Sequence, residues 1–244
     1  MSLTSPQMAE AVGTASEQGL IPRILQPALH WWLSSQLEGV TGLEIQIQGG
    51  DRQIVRGYLP HLRVAATEAR YRGIQVRHAA LQAQRIQVNL GQVLRGKPLK
   101  LLAPLPVWGE LVLSQADLNA SCASPLLQSG LEELLRLLDR QGMGKAGVNL
   151  QEWQLQRVQA EVGSGCLALV FSMVNAQGEQ ADWHLSTYVR LQDERTLCLE
   201  QVHWQGERNP HPGLAIDLGE GVALQALRLE VGSLRVRGTI CIYP

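Results

Sequence analysis

Phenylalanine occurs once in this chain and tyrosine four times. With so few aromatics, and with the six tryptophans dispersed, no stacking platform for single-stranded nucleic acid is signalled, and nucleic acid is not expected as a partner. Cysteine is as sparse: Cys122, Cys166, Cys198 and Cys241 lie far apart with no CxxC pair, so neither a zinc-ribbon spacing nor a compact disulfide framework is present. Reduced, mostly buried thiols are expected. Nowhere do about 18–20 apolar residues follow one another, the length that a membrane-crossing helix needs. Residues 1–20 carry neither a basic leader nor the apolar run of about 7–15 residues that marks a signal peptide, and they read as a disordered, solvated tail. A cytoplasmic location is therefore expected, with a peripheral membrane contact allowed.

Catalytic signatures are missing as well. The chain has no HExxH, no GxSxG, no Walker loop and no GxGxxG between a strand and a helix. Its six histidines, His30, His61, His78, His184, His203 and His211, show no metal-ligand spacing. No enzymatic activity, metal or cofactor is expected. Asp182-Trp183-His184 puts two polar residues on one face of a strand, where a solvated ion pair is the ordinary outcome. Asp51, Asp117, Asp182 and Asp217 fall in predicted turns, caps or strand edges, where carboxylates are common. The sequon Asn119-Ala120-Ser121 lies in a predicted helix and is discounted.

What the chain does have is an ordinary globular composition, 45% apolar and 18% charged, in a length that can build one large core without disulfides or metal. Ile21, Ile24, Leu25, Ala28, Leu29, Trp32, Leu33 and Leu37 recur at spacings of three and four and predict an amphipathic helix closed by Gly39. Pro22 suits its first turn, and Pro27 should kink it or move its start downstream. After Gly42 the period changes to two. Leu43, Ile45 and Ile47 predict a strand, Gly49-Gly50-Asp51 a hairpin turn, and Leu62 to Ala66, Ile74 to Val76 and Ile86 to Leu90 further strands of an antiparallel meander. Gly91 to Pro106 reads as a turn of helix and a loop, Val107 to Leu113 as a strand, Ser114 as the N-cap of a short helix over 116–121, and Pro125 to Arg140 as a second amphipathic helix ended by Gly142. Alternation returns through Val148, Leu150 and Leu155, through Leu167 to Met173, through Trp183, Leu185 and Tyr188, and through Leu197, Leu199 and Val202. A closing hairpin turns at Gly232-Ser233. Helix followed by meander thus occurs twice, over about 21–113 and 114–244, within a single α+β domain of residues 21–244. Long curved antiparallel sheets wrapped around the helices would accommodate this pattern, which fits a lined cavity and a filled core equally.

Charge is unevenly placed. Arg52, Arg56, Arg63, Arg70, Arg72, Arg77, Arg85, Arg95, Lys97 and Lys100 stand against Glu68 alone between residues 52 and 100, a local +9 in a chain of net −1, so the remainder carries −10. A basic region of this kind favours an anionic partner, unless its arginines pair with the acidic remainder.

Several segments together resemble a known family: Ile21-Pro22-Arg23-Ile24-Leu25, Gly49-Gly50-Asp51-Arg52, the run from Asn89 to Pro98, Gly109-Glu110-Leu111, Ala116-Asp117-Leu118-Asn119 and Ser124-Pro125-Leu126-Leu127. They are similar to the cyanobacterial branch of the LmeA-like phospholipid-binding proteins, across nearly the whole chain after the tail. The resemblance implies a non-enzymatic, lipid-binding fold akin to the tubular lipid-binding proteins, in which a curved antiparallel sheet wraps a helix. Actinobacterial members are exported and bind anionic phospholipids, whereas this sequence shows no export signal. Patterning and resemblance together predict binding of an apolar or amphipathic ligand, an anionic phospholipid, at or near a membrane surface. Leu25, Leu29, Trp32, Leu33, Leu131, Leu134 and Leu135 are the candidate groove liners, and Arg95, Lys97 and Lys100 the candidate headgroup or membrane contacts. The alternative is a scaffold that docks an acidic protein through a basic sheet face.

Overall fold

Two-residue alternation dominates the chain, and strands dominate the structure. The computed structural model describes residues 29–31, 33–93 and 100–244. Eleven strands form among them: β1 Gly42–Gln48, β2 Tyr58–Tyr71, β3 Ile74–Gln87, β4 Leu105–Ser114, β5 Trp153–Val162, β6 Cys166–Asn175, β7 Gln180–Leu191, β8 Thr196–Trp204, β9 Leu214–Asp217, β10 Val222–Glu230 and β11 Ser233–Ile242. They make two antiparallel sheets, one ordered β1-β2-β3-β4-β11-β10 and the other β5-β6-β7-β8-β9. Four helices accompany them: α1 Asp51–Val55, α2 Leu90–Val93, α3 Gln115–Ser121 and α4 Pro125–Arg140. A further helical stretch covers residues 29–31 and 33–36. The architecture is α+β, as the pattern implied. The C-terminal hairpin β10-β11 returns to pair with β4, so a cut near residue 113 does not separate the two sheets.

Several local expectations are corrected. Gly49-Gly50-Asp51 leads into α1 instead of a tight hairpin turn, because Ile54 is 0% exposed and anchors one helical turn into the core. The expected strands at Ile74 and Ile86 are one continuous β3. Its alternation slips phase, as does that of β2: Ala66 and Ala69 are both buried, as are Ala83 and Ile86. Glu68 and Arg85 have φ of 50° and 54°, a left-handed conformation that lets each strand turn the same face inward after three residues. Val88 makes an isolated bridge to Leu101, and Leu90 opens α2. Leu150 lies in a 3₁₀ turn before β5. In β7 the buried residue after Leu185 is Thr187, and Tyr188 points outward; a bulge at Gln201, φ 52°, resets β8 so that Val202 and Trp204 face the core. β9, only four residues long, has too short a pattern to be read from sequence.

Each sheet has its own buried cluster. Beneath the first sheet lie Ile45, Ile47, Ile54, Leu59, Ile86 and Leu105. Beneath the second, Leu135 and Leu138 of α4 pack on Phe171, Trp183, Leu185 and Trp204, whose indole N–H is satisfied by Met143 O at 2.8 Å. α4 begins where its sequence says: Ser124 Oγ accepts from Leu127 N at 3.2 Å and Pro125 occupies the first turn. α3 rivets the sheets together. Ser121 Oγ accepts from Gln75 N of β3 at 2.7 Å, while Asn119 and Gln115 bond the backbone of β5. The β10-β11 turn adds Gly232 N to Val162 O at 2.9 Å.

Candidate functional site

Among the predicted groove liners, Leu29 and Leu33 pack against the cluster of the first sheet, and Leu131, Leu134 and Leu135 against that of the second. The described members of the two sets therefore pack against the clusters of different sheets. Leu135, 4% exposed, is a core residue of α4. Leu25, Trp32, Arg95 and Lys97 lie outside the described residues. Lys100 is exposed beside α2, its backbone N–H held by Asn89 Oδ1 at 2.7 Å.

An apolar surface that the sequence pattern did not single out lies on the inner face of β4, β11 and β10. Cross-strand register places Val107, Ile240 and Val222 in one row, Gly109, Gly238 and Leu224 in the next, and Leu111, Val236 and Leu227 in a third. Neighbouring rows on one face are about 7 Å apart and neighbouring strands about 4.8 Å, so these aliphatics are contiguous. Val222, Leu224, Leu227 and Val236 are only half-buried and belong to none of the buried clusters among the described residues, and Ile240 is 51% exposed. The face is flat there because Gly109 and Gly238 stand opposite each other with no side chains. A Cβ on Gly238 would lie 2.5 Å from Ala223 O. The alternation of β10 and β11 was the signal in sequence; that they rejoin the first sheet was not readable from it.

The outer face of the second sheet is concave. A groove of about 680 Å³ runs over Ala168 and Val170 of β6, between Arg157 and Gln159 on one side and His184 and His203 on the other. Small side chains on the middle strand and long ones beside them make the depression. Its rim is polar, unlike an acyl-chain site. Asp182 accepts from Ser172 Oγ at 2.7 Å, so the polar pair expected within Asp182-Trp183-His184 is spent across strands.

The basic region is divided by the fold. Arg70 pairs with Glu38 at 2.8 Å, Arg77 reaches Asp117 at 3.5 Å, and Arg72 lies over the Tyr71 ring. Arg63 projects from the outer face of the first sheet, where Arg228, Arg235 and Arg237 also stand, Arg235 paired with Glu110. Arg52, Arg56, Arg85 and Lys100 are exposed around the α1 end. Burial pushes the Asp117 carboxyl up, but hydrogen bonds from Ser114 Oγ and N, with the Arg77 guanidinium beside it, outweigh this and hold it below its ordinary value. The residues of the sequon are likewise engaged: the Asn119 amide bonds Ala160 and Gln115 O, and Ser121 is buried. Burial pushes the Cys122 thiol up, and all four cysteines are free.

No cluster of three or more metal-ligating side chains occurs among the described residues. What the site offers is an open aliphatic sheet face with cations at one end. The sequence profile of the LmeA-like phospholipid-binding proteins matches residues 17–239, well beyond half of the chain. The chain belongs to that family. The LmeA-like description names binding of a phospholipid and no reaction. No curated protein and no solved structure matches. No helix among the described residues is long and apolar enough to cross a membrane.

Proposed function

We propose that this LmeA-like chain binds an anionic phospholipid without acting on it, at or near a membrane surface, acyl chains against the open face of β4, β11 and β10. The observation that carries this reading is the set of half-buried aliphatic rows, Val222, Leu224, Leu227, Val236 and Ile240, outside the buried clusters of the described residues. Contiguous apolar surface outside a core is the kind of surface on which an apolar ligand is held. Leu29 and Leu33, with Leu25 and Trp32 on the same predicted stripe, would border the lipid from the helix side. A sheet curved around that helix is the arrangement of the tubular lipid-binding proteins, and this reading favours it. Lys100, with Arg95 and Lys97 in the same segment of sequence, supplies charge for the phosphate.

Native mass spectrometry of protein purified without detergent, followed by organic extraction, tests the proposal. Stoichiometric phospholipid is expected, and Leu224→Gln with Leu227→Gln should abolish it. Protein that stays empty after incubation with phosphatidylglycerol vesicles would overturn the reading. A second reading, docking of an acidic protein, is favoured by Arg63, Arg228 and Arg237 projecting from the outer face of the first sheet. It predicts that charge reversal of those three arginines removes a partner and leaves lipid content unchanged.

A further inference from the structure

The first sheet has a pole away from α3. At one end of its strands α3 and the second sheet are attached; at the other, β1 passes into α1, β3 ends, and β4 begins opposite the end of β11 at the pair Ile242 and Leu105. Val88 joins the segments there, donating to Gly57 O at 2.9 Å and bridging to Leu101. Two aliphatic side chains project from this pole without a core to enter: Val55, 52% exposed, and Leu102, 60% exposed. In α1, Ile54 points inward, while Arg52, Val55 and Arg56, spaced i, i+3 and i+4, share the outward face. Arg85 and Lys100 are exposed around them, and none of these four cations is drawn into an ion pair among the described residues. The described acids near this pole include Asp51 and, on the β10 side, Glu220 and Glu194, the last in the β7-β8 turn, where its backbone O accepts from Leu224 N at 2.6 Å.

We propose that this pole docks the protein on an anionic bilayer, with Val55 and Leu102 entering the headgroup layer and Arg52 and Arg56 meeting lipid phosphates. This inference rests on the phospholipid reading above and adds the orientation in which lipid is exchanged: the open face of β4, β11 and β10 runs to this same pole, at Ile240 and Val222. Aliphatic tips ringed by arginine and lysine complement a bilayer surface, where apolar groups lie beneath a layer of negative charge. An acidic protein surface would match the cations and leave Val55 and Leu102 unexplained.

Sedimentation of the full chain with vesicles tests the docking. Wild-type protein should bind vesicles containing one quarter phosphatidylglycerol and bind pure phosphatidylcholine vesicles far more weakly. Arg52→Gln with Arg56→Gln should lower the partition coefficient by about 25-fold, about fivefold for each cation. Val55→Ser with Leu102→Ser should lower it at least tenfold without changing the melting temperature, since both side chains already face water. Uptake of dihexanoyl phosphatidylglycerol, supplied below its micelle concentration, should stay at the wild-type level in both variants. Vesicle binding by both variants at wild-type strength, or failure of wild-type protein to bind anionic vesicles at low salt, would overturn the docking and return attention to an acidic protein partner. Wild-type protein that docks through this pole yet takes up no short-chain lipid would sink the sheet-face reading alone.

Discussion

Asn119 takes the place of a neighbouring strand for Ala160. Its Nδ2 donates to Ala160 O at 2.9 Å, and its Oδ1 accepts from Ala160 N at 2.7 Å. β5 is the edge of the second sheet, and unpaired edge groups are both an energetic cost and an aggregation hazard. Asn119→Ala would strip both partners from a buried backbone position. The expected cost is about 2–3 kcal/mol, a fall in melting temperature of roughly 4–12 °C. Asn119→Asp should not rescue it, because a carboxylate still accepts from Ala160 N but faces Ala160 O without a donor. Thermal denaturation of both variants decides the point; an unchanged midpoint would show that β5 does not depend on this contact.

Asp117 is predicted to make stability fall in acid. Its carboxyl is held below the ordinary value by the capping box with Ser114 and by Arg77, despite the opposing effect of burial. A depressed folded-state value means that the contribution is fully present above the unfolded value, about 4, and is lost as pH falls through the folded value. The gap in melting temperature between wild type and Asp117→Asn should therefore be widest near neutrality and shrink below about pH 4. Ser114→Ala, which removes the hydroxyl that helps to lower the folded-state value, should make this contribution smaller and complete its loss at a higher pH. A gap that stays constant down to pH 2.5 would argue against the carboxylate as its source.

The Ser114 cap was legible in sequence because it is local: Ser114 lies within three residues of the N–H group that it satisfies. The α4 stripe, parts of the longer strands and the C-terminal hairpin were legible for the same reason. The β2-β3 hairpin was not read whole, because the left-handed residues Glu68 and Arg85 shift the alternation, and a shifted phase looks like a strand end. The site was less legible still. Leu29 and Leu131 carry the same periodic signal, yet one lies under the first sheet and the other under the second, a fact set by long-range pairing of β11 with β4. The open face was invisible for that reason too, since Leu111, Val236 and Leu227 meet only after the chain has built another sheet between them.

Core and site residues should separate on mutation. Leu135→Ala empties a packed position beneath the second sheet, and a loss of about 2–4 kcal/mol is expected, whether or not lipid is present. Leu227→Ala removes a half-buried side chain from the open face, and a smaller cost, about 1 kcal/mol, is expected from the lesser area involved. Chemical denaturation with and without added phosphatidylglycerol measures both. Stabilisation by lipid should survive Leu135→Ala and be reduced in Leu227→Ala; the reverse would place the ligand beneath α4 instead.

The paired glycines of the open face give the sharpest contrast. A Cβ at Gly109 would meet Leu81 Cδ2 at 2.8 Å, the tip of a side chain that can rotate away, so Gly109→Ala should cost less than about 1 kcal/mol. A Cβ at Gly238 would meet Ala223 O at 2.5 Å and Leu224 Cα at 2.8 Å, both parts of the β10 backbone, which must move if the methyl is to fit. Gly238→Ala should therefore cost about 2–3 kcal/mol. It should also disturb lipid retention more than stability alone explains, because Leu224 would shift out of its row with Gly238 and Gly109. Comparing the two variants by melting temperature and by extracted lipid separates these effects. Equal lipid content in both, at unequal stability, would mean that the seat of Leu224 does not shape the binding face, and the acyl chains would then have to lie nearer the helix bearing Leu29 and Leu33.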